Sequence, residues 1–168
     1  MNKIITLVAL LFGLTVSAQN DNCNCCTSQH EAFDFWIGDW EVTNPQGVKV
    51  GENEIIKTQA NCLLIENWVS SNGQSTGMSQ NFYNRQTKQW EQLWIDNQGG
   101  NLKLKGNRVG NQMILRTDDA TNQDGKTFFH RVTWTANDDG SVRQLWETIV
   151  ENSTSTVVFD GLYRKKQN

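Results

Sequence analysis

The side chains best suited to binding or chemistry occur in three copies of one short pattern. In each copy a carboxylate or an amide lies two residues before a tryptophan. The three are Glu66-x-Trp68, Gln92-x-Trp94 and Gln144-x-Trp146. Because residues two apart on a β-strand share one face, each pair sets a polar group beside an indole. Flat aromatic faces with a few polar groups are typical of small-molecule binding cavities.

Neighbouring residues extend this aromatic and polar surface, since Trp90 and Asp96 continue the spacing around Trp94, and Asn81 and Tyr83 form a similar pair. The residues predicted to bind a ligand are Glu66, Trp68, Asn81, Tyr83, Gln92, Trp94, Asp96, Gln144 and Trp146. The opposite face is aliphatic, with Leu63, Ile65, Val69, Leu93 and Ile95. Periodicity alone leaves open which face is inside. The repeated pairing favours the aromatic and polar face as a lumen, and the aliphatic face then predicts a homodimer interface or a covered patch.

Glu66 and Asp96 are the candidates for catalysis, because two carboxylates whose pKa values are shifted by burial can act as an acid/base pair. The sequence has no nucleophile motif, phosphate-binding loop or metal-ligand spacing beside them. Arg131 and Arg143 are also available to hold buried carboxylates in a structural role. Binding is therefore favoured over catalysis, and a barrel isomerase, cyclase or hydrolase is the alternative.

The two histidines, His30 and His130, raise the question of haem. A single histidine in an aromatic barrel can ligate haem iron. A hydrogen-bonded structural histidine is the favoured interpretation, so no cofactor and no metal are predicted, and haem binding remains a minor alternative.

Beyond Gly38 apolar and polar residues alternate as they do in β-strands, and short turn segments interrupt this pattern at regular intervals. The ten predicted strands are Trp40–Thr43, Val48–Gln59, Cys62–Ser70, Gly77–Tyr83, Gln89–Asp96, Asn101–Lys105, Asn111–Arg116, Lys126–Thr135, Ser141–Glu151 and Ser155–Arg164. Ser28 and Glu31 have the spacing of a capping box, which predicts a short helical turn that begins at Ser28. Strands joined by short turns favour an all-β, antiparallel up-and-down barrel, since closure removes both sheet edges. A barrel of this size can hold a small ligand.

The first 18 residues have the features of a signal peptide: Lys3, an apolar run over Ile4–Val16, and small residues before Ala18. The predicted organisation is a signal peptide over 1–18, a polar cysteine-containing segment over 19–28 and a barrel domain over 29–168. The protein is therefore expected to be exported, to the periplasm or the extracellular space, with no stable membrane insertion after cleavage.

All four cysteines lie after the predicted cleavage site, at Cys23, Cys25, Cys26 and Cys62. An even number of cysteines in an exported chain favours disulfides. One cysteine of the cluster is expected to pair with Cys62, which would attach the N-terminal segment to a strand. Because adjacent cysteines bond only with strain, the other two are expected to pair elsewhere or with another chain. A thiolate metal site is disfavoured, since no second cluster follows.

The amino-acid composition excludes several classes of protein and of binding partner. The chain has 168 residues, 15 Lys and Arg against 18 Asp and Glu, and 37% hydrophobic residues. This excludes a basic nucleic-acid-binding protein, a multi-span membrane protein and a large two-domain enzyme. Seven Trp and seven Phe supply much of the apolar surface. Such a composition favours a wet, aromatic lumen with a small molecule as the partner.

The segment Phe33–Val42 carries an FDFWxGxWEV motif and resembles the opening of a family of exported bacterial lipocalin-like (calycin-type) barrels of unknown function. Further matches are Cys62-x-Leu64-x-Glu66-x-Trp68, Trp90-x-Gln92-x-Trp94-x-Asp96 and Phe159-Asp160-Gly161-x-Tyr163-Arg164. The resemblance implies a lipocalin-like barrel and brings no activity with it. It also implies structural roles for Gly38, Trp40 and Arg164, with the arginine stacked across the indole at one end of the barrel. A structural envelope protein is a further alternative.

The opening motif also resembles haem-binding nitrobindin-like barrels. Those proteins use a histidine close to the C-terminus, and no histidine follows His130 in this chain. The resemblance to this second family therefore weakens the haem alternative.

Overall fold

The computed structural model describes residues 23–166, so the predicted signal peptide and residues 19–22 lie outside the described part. Within that part, one turn of 3-10 helix spans Asp34–Trp36, and the rest is strands and short connections. The strands are β1 Gly38–Thr43, β2 Lys49–Thr58, β3 Leu63–Ser70, β4 Thr76–Asn84, β5 Gln89–Asp96, β6 Asn101–Val109, β7 Gln112–Arg116, β8 Ala120–Thr121, β9 Thr127–Ala136, β10 Val142–Val150 and β11 Thr156–Lys165. Residues 23–166 contain no helix long and apolar enough to cross a membrane.

Ten of these strands close into an antiparallel barrel. Consecutive strands pair from β1 to β7, β7 pairs with β9, and β9, β10 and β11 continue the series. The barrel closes where β11 pairs with β1, from Trp40 opposite Lys165 to Thr43 opposite Leu162. The two-residue β8 only extends the edge of β9. The prediction of an all-β, ten-stranded antiparallel barrel is confirmed.

The connections follow the turn signals of the sequence, with two differences. Asn72-Gly73 lies in the β3–β4 connection, where Gly73 adopts a φ of 70° that suits glycine. β6 continues to Val109, beyond the predicted end at Lys105. The reason is that the turn is made by Gly110, with a φ of 60°, and Asn111, whereas Asn107 and Arg108 stay paired with β7. The short β8 falls in a segment predicted as a loop.

Alternation along the strands sorts the side chains cleanly between inside and outside. Glu66 and Gln92 are 4% and 5% exposed, whereas Val69 and Ile95 on the opposite face are 44% and 48% exposed. The aromatic and polar face therefore points into the barrel, as the repeated pairing favours. The aliphatic face of β2 to β5 lies on the outer surface.

The N-terminal segment closes one end of the barrel, which we call the closed end. Phe33 and Trp36 are fully buried there and stack with ring centroids 4.9 Å apart. Both also contact the buried Trp134, at 5.2 and 5.3 Å. Indole N–H groups attach the segment to the strands: Trp40 Nε1 donates to the carbonyl oxygen of Trp36 at 2.9 Å, and Trp90 Nε1 makes the same bond to Gln29.

Covalent and ionic links hold this segment in place. Cys25 is bonded to Cys62, directly before β3, so the predicted attachment is confirmed. Cys23 and Cys26 pair with each other, so the expectation that these two pair elsewhere or with another chain was wrong. The Nζ of Lys57 on β2 lies 2.6 Å from a carboxylate oxygen of Asp34. The turn expected to begin at Ser28 begins instead at Thr27, whose carbonyl oxygen accepts the N–H of Glu31 at 3.0 Å.

The cation over Trp40 is Lys165, where the resemblance to lipocalin-like barrels implied Arg164. Lys165 Nζ lies 4.3 Å from the indole centroid. The pairing of β11 with β1 sets this choice, because Lys165 is directly opposite Trp40 and Arg164 is opposite Glu41. Since alternate residues point to opposite faces, Arg164 lies outside the barrel. The implied stacking role of Arg164 was therefore wrong by one residue.

Candidate functional site

A cavity of about 260 Å³ lies within the barrel, toward the end opposite the N-terminal segment. We call this the open end, because the hairpin connections of β3–β4, β5–β6 and β10–β11 surround it. The residues that line the cavity are Glu66, Trp68, Ser75, Gln92, Trp94, Asp96, Leu102, Leu104, Val132, Gln144, Trp146, Val158, Phe159 and Tyr163. They come from β3, β5, β6, β9, β10 and β11 and the β3–β4 connection, so the site depends on closure of the whole barrel.

Three indoles form the walls of the cavity. Trp68, Trp94 and Trp146 are each partly exposed, unlike the fully buried tryptophans of the closed end. Trp68 and Trp94 lie against glycines of the neighbouring strand, because a Cβ added at Gly51 would overlap Trp68 and one at Gly77 would overlap Trp94. These glycines therefore let the indoles lie close to the sheet and leave the centre of the barrel free.

Glu66 is the most deeply buried charged group of the cavity. One carboxylate oxygen accepts the amide N–H of Asn53 at 2.7 Å, and the other accepts the hydroxyl of Ser79 at 2.6 Å. Burial raises the pKa of Glu66 to about 7, against the opposing effect of these two hydrogen bonds. At neutral pH the carboxyl is therefore poised between its charged and neutral forms.

A network of amides and a hydroxyl supports Glu66 from the neighbouring strands. Ser79 Oγ accepts the amide of Asn81 at 2.8 Å, and the amide of Gln92 donates to Asn81 Oδ1 at 2.6 Å. Asn81 also donates to the carbonyl oxygen of Leu64 at 3.2 Å, which ties the network to the backbone of β3. Because each member is fixed by another, the position of the Glu66 carboxyl is well defined.

Tyr163 and Asn53 complete the polar part of the site. The hydroxyl of Tyr163 donates to Gln144 Oε1, which orients that amide. Burial, and then the negative charge of Glu66, raise the pKa of Tyr163 well above its usual value, so the phenol stays protonated. Asn53 is 2% exposed, and its Oδ1 has no hydrogen-bond partner within residues 23–166. An acceptor without a donor therefore lies beside Glu66.

Asp96 lines the cavity and also takes part in a turn. Its Oδ1 accepts the backbone N–H of Gln98 at 2.9 Å and that of Gly100 at 2.8 Å, so it holds the β5–β6 turn together. Of the arginines available to hold buried carboxylates, Arg131 pairs with the buried Glu147 at 2.9 Å, and Arg143 pairs with Asp160 at 2.6 Å. Neither arginine pairs with Glu66 or Asp96. Glu66 is therefore held by neutral donors.

The structure brings seven of the nine predicted binding residues to one cavity and leaves two apart from it. Asn81 lies in the network next to the cavity wall. Tyr83 lies at the closed end, where its ring packs edge-on against His30 with centroids 5.2 Å apart. The polar and aromatic residues that the sequence analysis missed are Asn53, Ser79, Phe159 and Tyr163. It also missed the lining residues Ser75, Leu102, Leu104, Val132 and Val158. Ser79 precedes Asn81 by two residues, and Phe159 and Tyr163 share a face on one strand, so the same alternation that identified the tryptophans would have found them.

The two histidines make hydrogen bonds. His130 Nδ1 accepts the indole N–H of Trp146 at 3.2 Å and lies 3.0 Å from Thr148 Oγ1. His30 Nδ1 lies 2.7 Å from Thr27 Oγ1. Burial lowers the pKa of both histidines. Within the described part of the chain, no group of three or more His, Cys, Asp and Glu side chains is arranged to hold a metal ion.

Comparison with known proteins finds no family model and no curated protein that matches this chain. The function of the chain is therefore inferred from the geometry of the cavity.

Proposed function

We propose that this chain is an exported lipocalin-like barrel that binds a small molecule with an aromatic and a polar part in its open-end cavity. One observation carries the proposal: Trp68, Trp94 and Trp146 converge with Glu66 and Gln144 on one cavity that is not filled by side chains. Two disulfides support export, because such bonds persist in oxidising compartments.

The size of the cavity limits the ligand. Pockets for drug-sized molecules measure about 300–1,000 Å³, and an apolar cavity of about 150 Å³ accepts a benzene molecule. A cavity of about 260 Å³ falls between these cases. It therefore suits one aromatic ring with a short polar substituent.

The arrangement of the lining orients such a ligand. The indoles of Trp68, Trp94 and Trp146 offer flat apolar contact, and Phe159 packs edge-on against Trp68 with centroids 5.9 Å apart. The polar groups of Glu66 and its network lie deeper on β3, β4 and β5. A ligand would therefore place its ring among the indoles and its polar group at Glu66.

Quenching of intrinsic tryptophan fluorescence across a library of small metabolites tests the proposal. Trp94→Phe and Trp146→Phe should reduce the fluorescence response and weaken binding of any hit, because both indoles line the cavity. Trp90→Phe is the matched control, since this tryptophan lies at the closed end and is 3% exposed. No hit in the library, or equal effects of all three variants, would contradict binding in this cavity.

A second candidate function is acid/base catalysis by Glu66. The observation in its favour is that burial brings the pKa of this cavity-lining carboxyl to about 7, where it can both give and take a proton near neutral pH. Asp96 is held in its turn, so Glu66 would act without it. If a bound compound is also converted, Glu66→Gln should abolish turnover. Turnover unchanged in that variant would exclude this role.

A further inference from the structure

The charges that line the cavity are all of one sign. Glu66 and Asp96 are carboxylates, and within residues 23–166 no Lys, Arg or His side chain lines the cavity. His130 contacts the lining residue Trp146, and burial lowers the pKa of His130, which favours its neutral form. Two lysines lie at the closed end, away from the cavity. There Lys57 is paired with Asp34, and Lys165 lies over Trp40. Within the described part of the chain, the ionisable acids of the lining are therefore carboxylates and a phenol, and no Lys or Arg of the lining pairs with them.

The aromatic walls add to this preference for positive charge. The face of an aromatic ring is electron-rich and attracts cations, and tryptophan is the strongest of the aromatic residues in this respect. Trp68, Trp94 and Trp146 line the same cavity as the two carboxylates. An aromatic enclosure with a carboxylate at its base attracts a cation by two independent effects.

The acceptor atoms at the base of the cavity can accept more hydrogen bonds than they receive. Each oxygen of Glu66 accepts one bond, although a carboxylate oxygen can accept two. Asn53 Oδ1, beside it, is buried without a donor inside residues 23–166. A primary ammonium group has three N–H donors and no acceptor, so it supplies what this part of the site lacks. A quaternary ammonium group has no N–H and offers its positive charge alone. An anionic ligand would meet like charge.

We propose that the ligand of the open-end cavity is a small organic cation, an arylalkylammonium or a quaternary ammonium compound, with its charge at Glu66 and its apolar part among Trp68, Trp94 and Trp146. This inference rests on the proposed function and specifies its ligand class. It makes Glu66 the counter-ion of the ligand.

Binding of such a cation depends on the ionisation of Glu66. The ammonium contacts the carboxylate form, and below a pKa of about 7 this form is lost. Affinity should therefore fall by up to about tenfold per pH unit on acidification below neutral pH. Three other titratable groups lie close by: Asp96 and Tyr163 line the cavity, and His130 contacts Trp146.

The sharpest test compares ligands of one shape and different charge by titration calorimetry at pH 8. Phenethylamine, 2-phenylethanol and 3-phenylpropionate form one series, and choline with 3,3-dimethyl-1-butanol forms another. We expect the cation to bind most tightly in each series and phenylpropionate to bind most weakly. Glu66→Gln should weaken the amine by about 10- to 100-fold and leave the alcohol nearly unchanged.

Controls separate Glu66 from its neighbours. In the unaltered protein and in the Asp96→Asn and His130→Gln variants, binding of phenethylamine should weaken from pH 8 to pH 5. In Glu66→Gln it should be independent of pH. Loss of the pH dependence in His130→Gln or Asp96→Asn instead would overturn the assignment to Glu66.

The possible failures are distinguishable. If the alcohols or the acid bind as tightly as the cations, the cavity binds small molecules but the inference of a cationic ligand is overturned. If no compound of either series and no compound of the metabolite library binds, both the proposed function and the inference of a cationic ligand are overturned.

Discussion

The two ends of the barrel use the same residue type for opposite purposes. At the closed end Trp36, Trp40 and Trp134 are at most 1% exposed and pack against one another and the N-terminal segment. At the open end Trp68 and Trp94, like Trp146, stay partly exposed around a cavity. The difference teaches that the position of a tryptophan along its strand, more than the strand face it occupies, decides whether it stabilises the fold or is available to a ligand.

The closed end also differs in how its polar groups are used. The indole N–H groups of Trp40 and Trp90 bond backbone carbonyl oxygens of the N-terminal segment, which fixes that segment to the strands. At the open end the polar groups converge on Glu66 and on the cavity. The closed end is therefore part of the hydrophobic core, and the open end forms the candidate binding site.

The largest effect is expected from removing a tryptophan of the closed end. Trp36→Ala should lower the free energy of unfolding by about 3–5 kcal/mol, because it empties a fully buried site. Trp94→Ala, at a partly exposed position, should cost less than about half as much and should abolish binding in the cavity. Denaturant unfolding and ligand titration of both variants measure the contrast. Similar stability losses for the two would erase the distinction between the ends.

Removing the disulfide that attaches the closed end should have the next largest effect. Cys25→Ala with Cys62→Ala opens a link across 37 residues, for which chain entropy predicts a loss of about 3–4 kcal/mol. Cys23→Ala with Cys26→Ala is the matched control and should cost less, since those residues are 3 apart. Thermal unfolding of both double variants tests this. An equal loss in the control would show that the attachment to β3 is not what matters.

Glu66 should make the open end a source of instability above neutral pH. Its pKa is raised from 4.5 to about 7 in the folded protein, so the folded state holds this proton more tightly than the unfolded state. The loss of folding stability that comes from ionising buried Glu66 is absent below pH 4.5, grows between pH 4.5 and 7, and is complete above pH 7.

Replacing Glu66 by glutamine should therefore stabilise the free protein at pH 8 by up to about 3 kcal/mol and have little effect at pH 4. Denaturant unfolding at both pH values measures this, with Glu54→Gln on the outer face of β2 as the control. Destabilisation at pH 8 would contradict the burial of an unpaired charge.

The smallest effect on stability should come from Gly77. A Cβ there would overlap Trp94, so Gly77→Ala should push the indole into the cavity and weaken binding. The indole has free space to enter, so the free energy of unfolding should change by less than about 1 kcal/mol. Met78→Ala, which alters an outward side chain of the same strand, is the control and should leave binding unchanged. Full affinity in Gly77→Ala would mean that Trp94 does not shape the cavity.

Much of the fold could be predicted from the sequence because its signals are local. Alternation and turn residues located ten strands, and the pairing of polar residues with tryptophan identified the inward face. The role of Asp96 in a turn was also visible locally, since Gly99 and Gly100 follow it closely.

The remaining features depend on how distant strands align. Lys165 rather than Arg164 faces Trp40 because of the register in which β11 closes on β1, and alternation within either strand does not reveal it. Tyr83 shares a face with the predicted binding residues but lies about 20 Å along the strand from Gly77, at about 3.3 Å per residue. Sequence alone could therefore find the face of the site and could not find its end of the barrel.

The Cys25–Cys62 bond gives the protein an uneven response to mechanical force. Tension that reaches Cys25 from the N-terminal side crosses the disulfide to Cys62 and bypasses the intervening helix, β1 and β2. Tension from the other side enters at Lys165 and loads the hydrogen bonds of β11 one after another from a single end. Under a pulling force the oxidised barrel should peel from β11 at low force, and its contour length should exclude the 37-residue span that the disulfide shields.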